Sequence, residues 1–154
     1  MTEINWKDKC WMTVIYLVRE DGKVLLHWNK NMQTWIPIGG HINFGETPDE
    51  TIKREVKEET GFDFDLLKEP FIEGNSKVIN FHRFQIDKVP HHNEHMTFVF
   101  IGKCKNYTDK QETDENEKLK WFSEEEIIKM KNELIESVYT VALDSINLYK
   151  TPKV

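Results

Sequence analysis

The stretch that most limits what this chain can fold into runs from Gly40 to Phe62. A glycine-bearing loop leads into Thr47-Pro48-Asp49-Glu50, a strong helix start. Thr47 can cap, Pro48 suits the first helical position, and Glu50 completes a capping box. The pattern predicts a helix from about Pro48 to Thr60, ended by Gly61 as a left-handed residue. Ile52 and Val56, four apart, form its buried stripe. Glu55, Glu58 and Glu59 stand at i, i+3 and i+4. At ~100° per residue they share one face. Like charges so close repel, and a cation would offset that repulsion. Oxygen-only ligands favour hard ions, Mg²⁺ first and Mn²⁺ second. Arg54 lies four residues from both Glu50 and Glu58, so it can steady those carboxylates.

The flanking segments read as scaffold. Trp11 to Arg19 is β-branched and aromatic, the mark of a buried strand. Asp21-Gly22 signals a hairpin turn, and Val24 to Trp28 returns as the partner strand. Trp35-Ile36-Pro37-Ile38 is short and apolar, and Gly39-Gly40 lets the backbone turn or approach a ligand closely. Strands are expected at Phe62 to Leu67, Lys77 to Ile86, Met96 to Cys104 and Leu119 to Phe122. Ser123 opens a short helix to about Met130, and Asn132 to Tyr149 forms the last one. Strands, one helix, more strands and then helices imply a mixed sheet with helices packed on it, an α+β fold in one domain spanning residues 1–154.

Composition narrows the partners. With 21 Lys+Arg against 27 Asp+Glu, the net charge is -6. Such a chain has no general attraction for nucleic acid backbones, so nucleic acid is not the expected partner. A phosphate-rich ligand would need local help from a metal or placed cations. Two cysteines, Cys10 and Cys104, form neither a metal-ligand spacing nor a disulfide framework. The N-terminus lacks a signal-peptide core, and no run nears the roughly 18 apolar residues of a membrane span. These features predict a soluble, reduced, cytoplasmic protein with no membrane association.

The full string carries more than its parts. Gly40, five residues, Glu46, seven residues, then Arg54-Glu55-Val56-Lys57-Glu58-Glu59-Thr60-Gly61-Phe62 matches every fixed position of the Nudix box. Trp35-x-Pro37-x-Gly39-Gly40 also looks like the approach to that box. The chain therefore resembles a Nudix hydrolase of the MutT-like, nucleoside diphosphate-X pyrophosphohydrolase kind. The resemblance implies an α/β/α sandwich with a mixed β-sheet between helices. It implies Mg²⁺-dependent attack of water on a diphosphate linkage, with Mn²⁺ able to substitute. By position, Glu55 and Glu59 would be direct metal ligands, with the Gly40 carbonyl a backbone ligand. Glu58 would be a further ligand, or the base that deprotonates a metal-bound water. Arg54 would orient the glutamates, Glu46 would brace the loop, and Gly61 would be structural.

In some members the base lies on the loop before a late tryptophan. Here that loop is Glu112 to Glu117 before Trp121, with Glu115 the first choice and Glu117 the second. Substrate contacts are assigned to Trp28, Gly39 and His95. Trp11, Trp35 and Phe44 could also stack on a base, although each suits packing. The His91–His95 stretch reads as a substrate-facing loop rather than a metal site. The preferred substrate is a nucleoside triphosphate, oxidised or otherwise damaged in one version, cleaved to monophosphate and pyrophosphate. Alternatives are ADP-ribose, a nucleotide sugar, a dinucleoside polyphosphate and a capped RNA end. A nucleotide-sensing module without turnover is the reading from another class; it would be expected to lose box glutamates, and this chain keeps all three. Isomerase chemistry on an isoprenoid diphosphate lacks a cysteine partner near the box. Homodimers are common among similar proteins.

Overall fold

The computed structural model describes residues 9–89, 94–107 and 119–150. In chain order the elements are β1 (Lys9–Val18), β2 (Val24–Asn29), β3 (Thr34–Ile36), β4 (Ile38–His41), α1 (Pro48–Thr60), β5 (Phe64–Leu66), β6 (Phe71–Glu73), β7 (Ser76–Val78), β8 (Arg83–Asp87), β9 (Glu94–Cys104), β10 (Leu119–Phe122), α2 (Glu124–Lys129) and α3 (Glu136–Lys150). The main sheet runs β10-β2-β1-β9-β5, with β3 on β2, β4 on β1 and β8 on β9. β1 and β9 pair in parallel from Lys9↔Glu94 to Val18↔Lys103, while β1 meets β2 and β4 antiparallel. The sheet is therefore mixed, as the order of elements predicts.

β1 is apolar along most of its length because both of its faces are covered. Ile15 and Leu17 join Leu25, Ile38, Ile52, Val56 and Phe100 in one core, under α1. Tyr16 joins Val24, Leu26, Val99, Val138, Val141 and Ile146 in the other, under α3. The outcome is the sandwich of helices about a mixed sheet.

α1 begins and ends as its sequence directs. The Thr47 N–H donates to the Glu50 carboxylate at 3.4 Å. Gly61 takes φ 72 and donates its N–H to the Lys57 carbonyl. Ile52 and Val56 are fully buried.

Three expectations are corrected. Gly39 and Gly40 do not turn the chain; they lie inside β4, and the loop turns later, at Gly45 with φ 85. Gly39 is small because a Cβ there would stand 2.2 Å from the Thr13 carbonyl oxygen of β1. The run from Lys77 to Ile86 is not one strand. Its start pairs with β6 as a separate hairpin, and its end pairs with β9. Lys77 is drawn aside by Asp49 at the start of α1, 2.8 Å away and almost wholly buried. Burial acts to raise the Asp49 carboxyl, but Lys77 and Thr47 outweigh it and hold it below the ordinary range. The last helix starts at Glu136 rather than Asn132, since residues 131–134 form turns.

Gly39→Ala forces backbone against backbone where β4 meets β1. It should lower stability by about 2–3 kcal/mol in urea denaturation, because a well-packed core resists an added methyl group. An unchanged midpoint would contradict this account of β4.

Candidate active site

The docking of α1 on β4 creates the site. Gly40 sits opposite Thr13 in the sheet. A Cβ at Gly40 would lie 2.3 Å from Glu55 Oε1, so the carboxylate occupies the space that a side chain would take. The absence of a Cβ thus sets how close the helix comes to the strand.

Arg54 is the hub. Its Nε and Nη2 donate to the two Glu46 oxygens at 2.8 and 3.1 Å. Its Nη1 donates to Glu55 at 2.8 Å and to Glu58 at 3.2 Å, and Nη2 also reaches the His41 carbonyl at 3.3 Å. One planar cation thus ties the loop, the strand end and the helix. Glu46 accepts further hydrogen bonds from the Asn43 N–H and the Thr51 hydroxyl, both at 3.1 Å. The Arg54 hydrogen bond pushes the Glu46 carboxyl down to about 2, and Glu46 in turn holds the guanidinium above its usual range. Spacing suggested that Arg54 would also steady Glu50. It does not, because Glu50 turns to the Thr47 N–H and to Lys77, 3.7 Å away.

The three helix carboxylates differ in environment. The Glu58 side chain is 59% exposed, against 14% for Glu55. Glu59 is pushed up to about 8, first by burial, then by the charge and hydrogen bond of Glu55, then by the charge of Glu58. Burial and the neighbouring carboxylates together disfavour its ionised form. Among the described residues, no three His, Cys, Asp or Glu side chains gather closely enough to cage an ion. A hard divalent ion takes oxygen ligands. The donor set, all oxygen, and the crowding at Glu59 fit such an ion.

The remaining predicted residues fall in different places. His95 approaches the site, its ring 5.7 Å from that of His41, the residue after Gly40. Gly39 packs against Thr13 and Val14. Trp28 stands edge-on to Trp35 at 5.5 Å, and Trp35 packs on Phe122 in the core under α3. Trp11 stacks on Phe98, and Phe44 is fully exposed. Gly61 closes α1 at its far end. Glu115, Glu117, His91 and His92 lie outside the described residues. Two partners escaped the sequence reading. The His41 carbonyl carries no side-chain signal, and the Asp49–Lys77 pair joins residues far apart in the chain.

The model of the NUDIX domain matches residues 11–141, most of the chain, which belongs to the Nudix family. A NUDIX-family hydrolase from Clostridium perfringens superposes with a TM-score of 0.77 at 28% identity, over 90% of this chain and 97% of that one. An Ap4A hydrolase from C. elegans gives 0.65 at 17% identity, over 92% and 98%. The MutT protein of Methanosarcina mazei Go1 gives 0.64 at 20%, over 94% and 96%. The last two share the fold. The chain is a Nudix hydrolase, an enzyme acting on phosphoric anhydrides. No helix of the described residues is long and apolar enough to cross a membrane.

The raised Glu59 makes a pH prediction. An acid whose folded pKa of about 8 exceeds its unfolded 4.5 contributes full stability below 4.5 and loses it as pH rises through 8. Buried His27, depressed below 6.5, acts only at lower pH, and Glu46 only below 4.5. From pH 6.5 to about 9, the metal-chelated protein should therefore lose on the order of 2 kcal/mol in urea denaturation. Glu59→Gln should flatten that slope. A parent with no slope would refute the crowding.

Proposed function

We propose that this enzyme hydrolyses a nucleoside diphosphate joined to a further group, with Mg²⁺ as its working ion and Mn²⁺ as a substitute. The preferred substrate is a nucleoside triphosphate, cleaved to monophosphate and pyrophosphate. The observation that carries this reading is the contact of Glu55 with the bare α-carbon of Gly40 under the Arg54 clamp. It brings the Glu55 carboxylate against β4 beside Gly40. Glu55, Glu59 and the Gly40 carbonyl would hold the ion. When bound, Mg²⁺ acidifies water and neutralises charge on the phosphoryl group.

The protein's own share is positional. Arg54 fixes Glu55 and Glu58 in place through hydrogen bonds whose geometry Glu46 anchors from behind. Glu58, hydrogen-bonded to Arg54 and the most exposed of the three, would take the proton of an incoming water. Glu115, on the segment before Trp121, is the second candidate for that role.

A substrate panel with Mg²⁺, followed by phosphorus NMR of the products, tests the reading. It should hold nucleoside triphosphates, ADP-ribose, a nucleotide sugar and a dinucleoside polyphosphate. Glu58→Gln should lower kcat about 100-fold or more on whatever the parent cleaves, with unchanged thermal stability. Full activity in that variant would sink the assignment of Glu58. A comparable loss in Glu115→Gln alone would move the base to the later segment. No turnover anywhere, with tight nucleotide binding, would favour the sensing module.

A further inference from the structure

β8 is an edge strand. It pairs with β9 on one side, and no strand of the described residues pairs with its other side. The peptide N–H and C=O groups directed to that side form an open hydrogen-bonding edge. Proteins guard such edges with proline, lysine or charges that repel a second strand. β8 reads Arg83-Phe84-Gln85-Ile86-Asp87, with neither proline nor lysine. On one of its faces Phe84 and Ile86 are exposed, at 42% and 55%. That face runs on into an aromatic cluster, because Phe84, Phe81 and Trp11 all pack on Phe98 of β9. Trp11 and Phe81 are also exposed, and a contiguous apolar patch of this kind marks an interaction surface.

The charges of β8 select a partner. Arg83 and Asp87 are opposite in sign and stand two residues either side of Gln85. A second copy laid antiparallel along this edge, on a two-fold axis normal to the sheet at Gln85, sets Arg83 against the second copy's Asp87. It also sets Phe84 against the second copy's Ile86, and symmetry repeats each pair. Opposite charges and apolar side chains directly across from one another both favour pairing. Asp87 accepts from Gln85 at 2.8 Å and from Thr97 at 3.0 Å, and a carboxylate keeps lone pairs for a further donor. Moving the axis to Phe84 sets Arg83 against Gln85 and Asp87 against Phe81. Moving it to Ile86 sets Asp87 against Gln85 and Arg83 against Val89. Of the three, only the axis at Gln85 matches both charges. It also brings the two aromatic patches together on one face of the joined sheet.

We infer that β8 is a dimer interface, at which two copies of this chain join their main sheets edge to edge with Gln85 against Gln85. The partner is a second copy because the strand complements itself in charge and in apolar side chains about one residue. A two-fold contact needs that self-complementarity, whereas an unrelated partner does not. Assembly of this kind does not depend on which phosphoric anhydride the enzyme cleaves.

Sedimentation equilibrium of the full chain tests it, with circular dichroism to check folding. The parent should sediment at twice the 18.4 kDa chain mass. Arg83→Glu and Asp87→Lys should each sediment at the single-chain mass, since each sets like charges opposite one another. Mixed in equal amounts, the two variants should return to twice that mass, because every like pair becomes an opposite one. Ile86→Lys, at an exposed position, is the further variant in case either of these does not fold, and it should also fall to the single-chain mass. A parent at the single-chain mass overturns the inference and leaves the patch to another occupant, a nucleotide or a different protein. A dimer that persists in the folded variants, or a mixture that stays at the single-chain mass, overturns it as well.

Discussion

Arg54 holds together parts of the chain that would otherwise repel or drift apart. Glu46, Glu55 and Glu58 all lie within hydrogen-bond reach of its guanidinium, which also grips the carbonyl at the end of β4. A lysine could meet the charge but not the geometry, since only the planar fork serves several acceptors at once. The loop from Ile42 to Thr47 takes its shape from that grip, because Glu46 is held there by Arg54, Thr51 and Asn43 together. Glu59 lies outside the clamp, and it is the carboxyl forced towards its neutral form.

The clamp works only because α1 is held at one height above the sheet. Ile52 and Val56 bury fully against Ile15, Leu17 and Ile38. Gly39 lets β4 close on β1, and Gly40 lets Glu55 close on β4. The β6–β7 hairpin adds a pin at the start of the helix, where Lys77 meets Asp49. Burial of that carboxylate is offset by its partner, so the hairpin is tied to the helix start by charge rather than by apolar contact.

Much of this was legible before any coordinates. The bounds of α1 follow from local chemistry, with Pro48, Glu50 and Gly61 each acting within a few residues of themselves. β1, β2 and β9 were legible because burial on both faces leaves largely apolar runs. The break between β7 and β8 was not, since it depends on Lys77 finding a carboxylate 28 positions earlier, at Asp49. Nor was the placement of Gly39 and Gly40 inside a strand. Two adjacent glycines signal freedom to turn, whereas here their value lies in what packs against them.

Sequence alone determined which groups take part: the glutamates, the arginine, the glycines and their spacing on one helical face. Spacing along a helix is a local property, so the chain carries it without reference to anything distant. Tertiary structure alone decided what these groups meet. Glu46 rather than Glu50 became the partner of Arg54, Trp28 turned to Trp35, and Gly40 came opposite Thr13. Those relations depend on strand order and register, which arise from packing of the whole sheet.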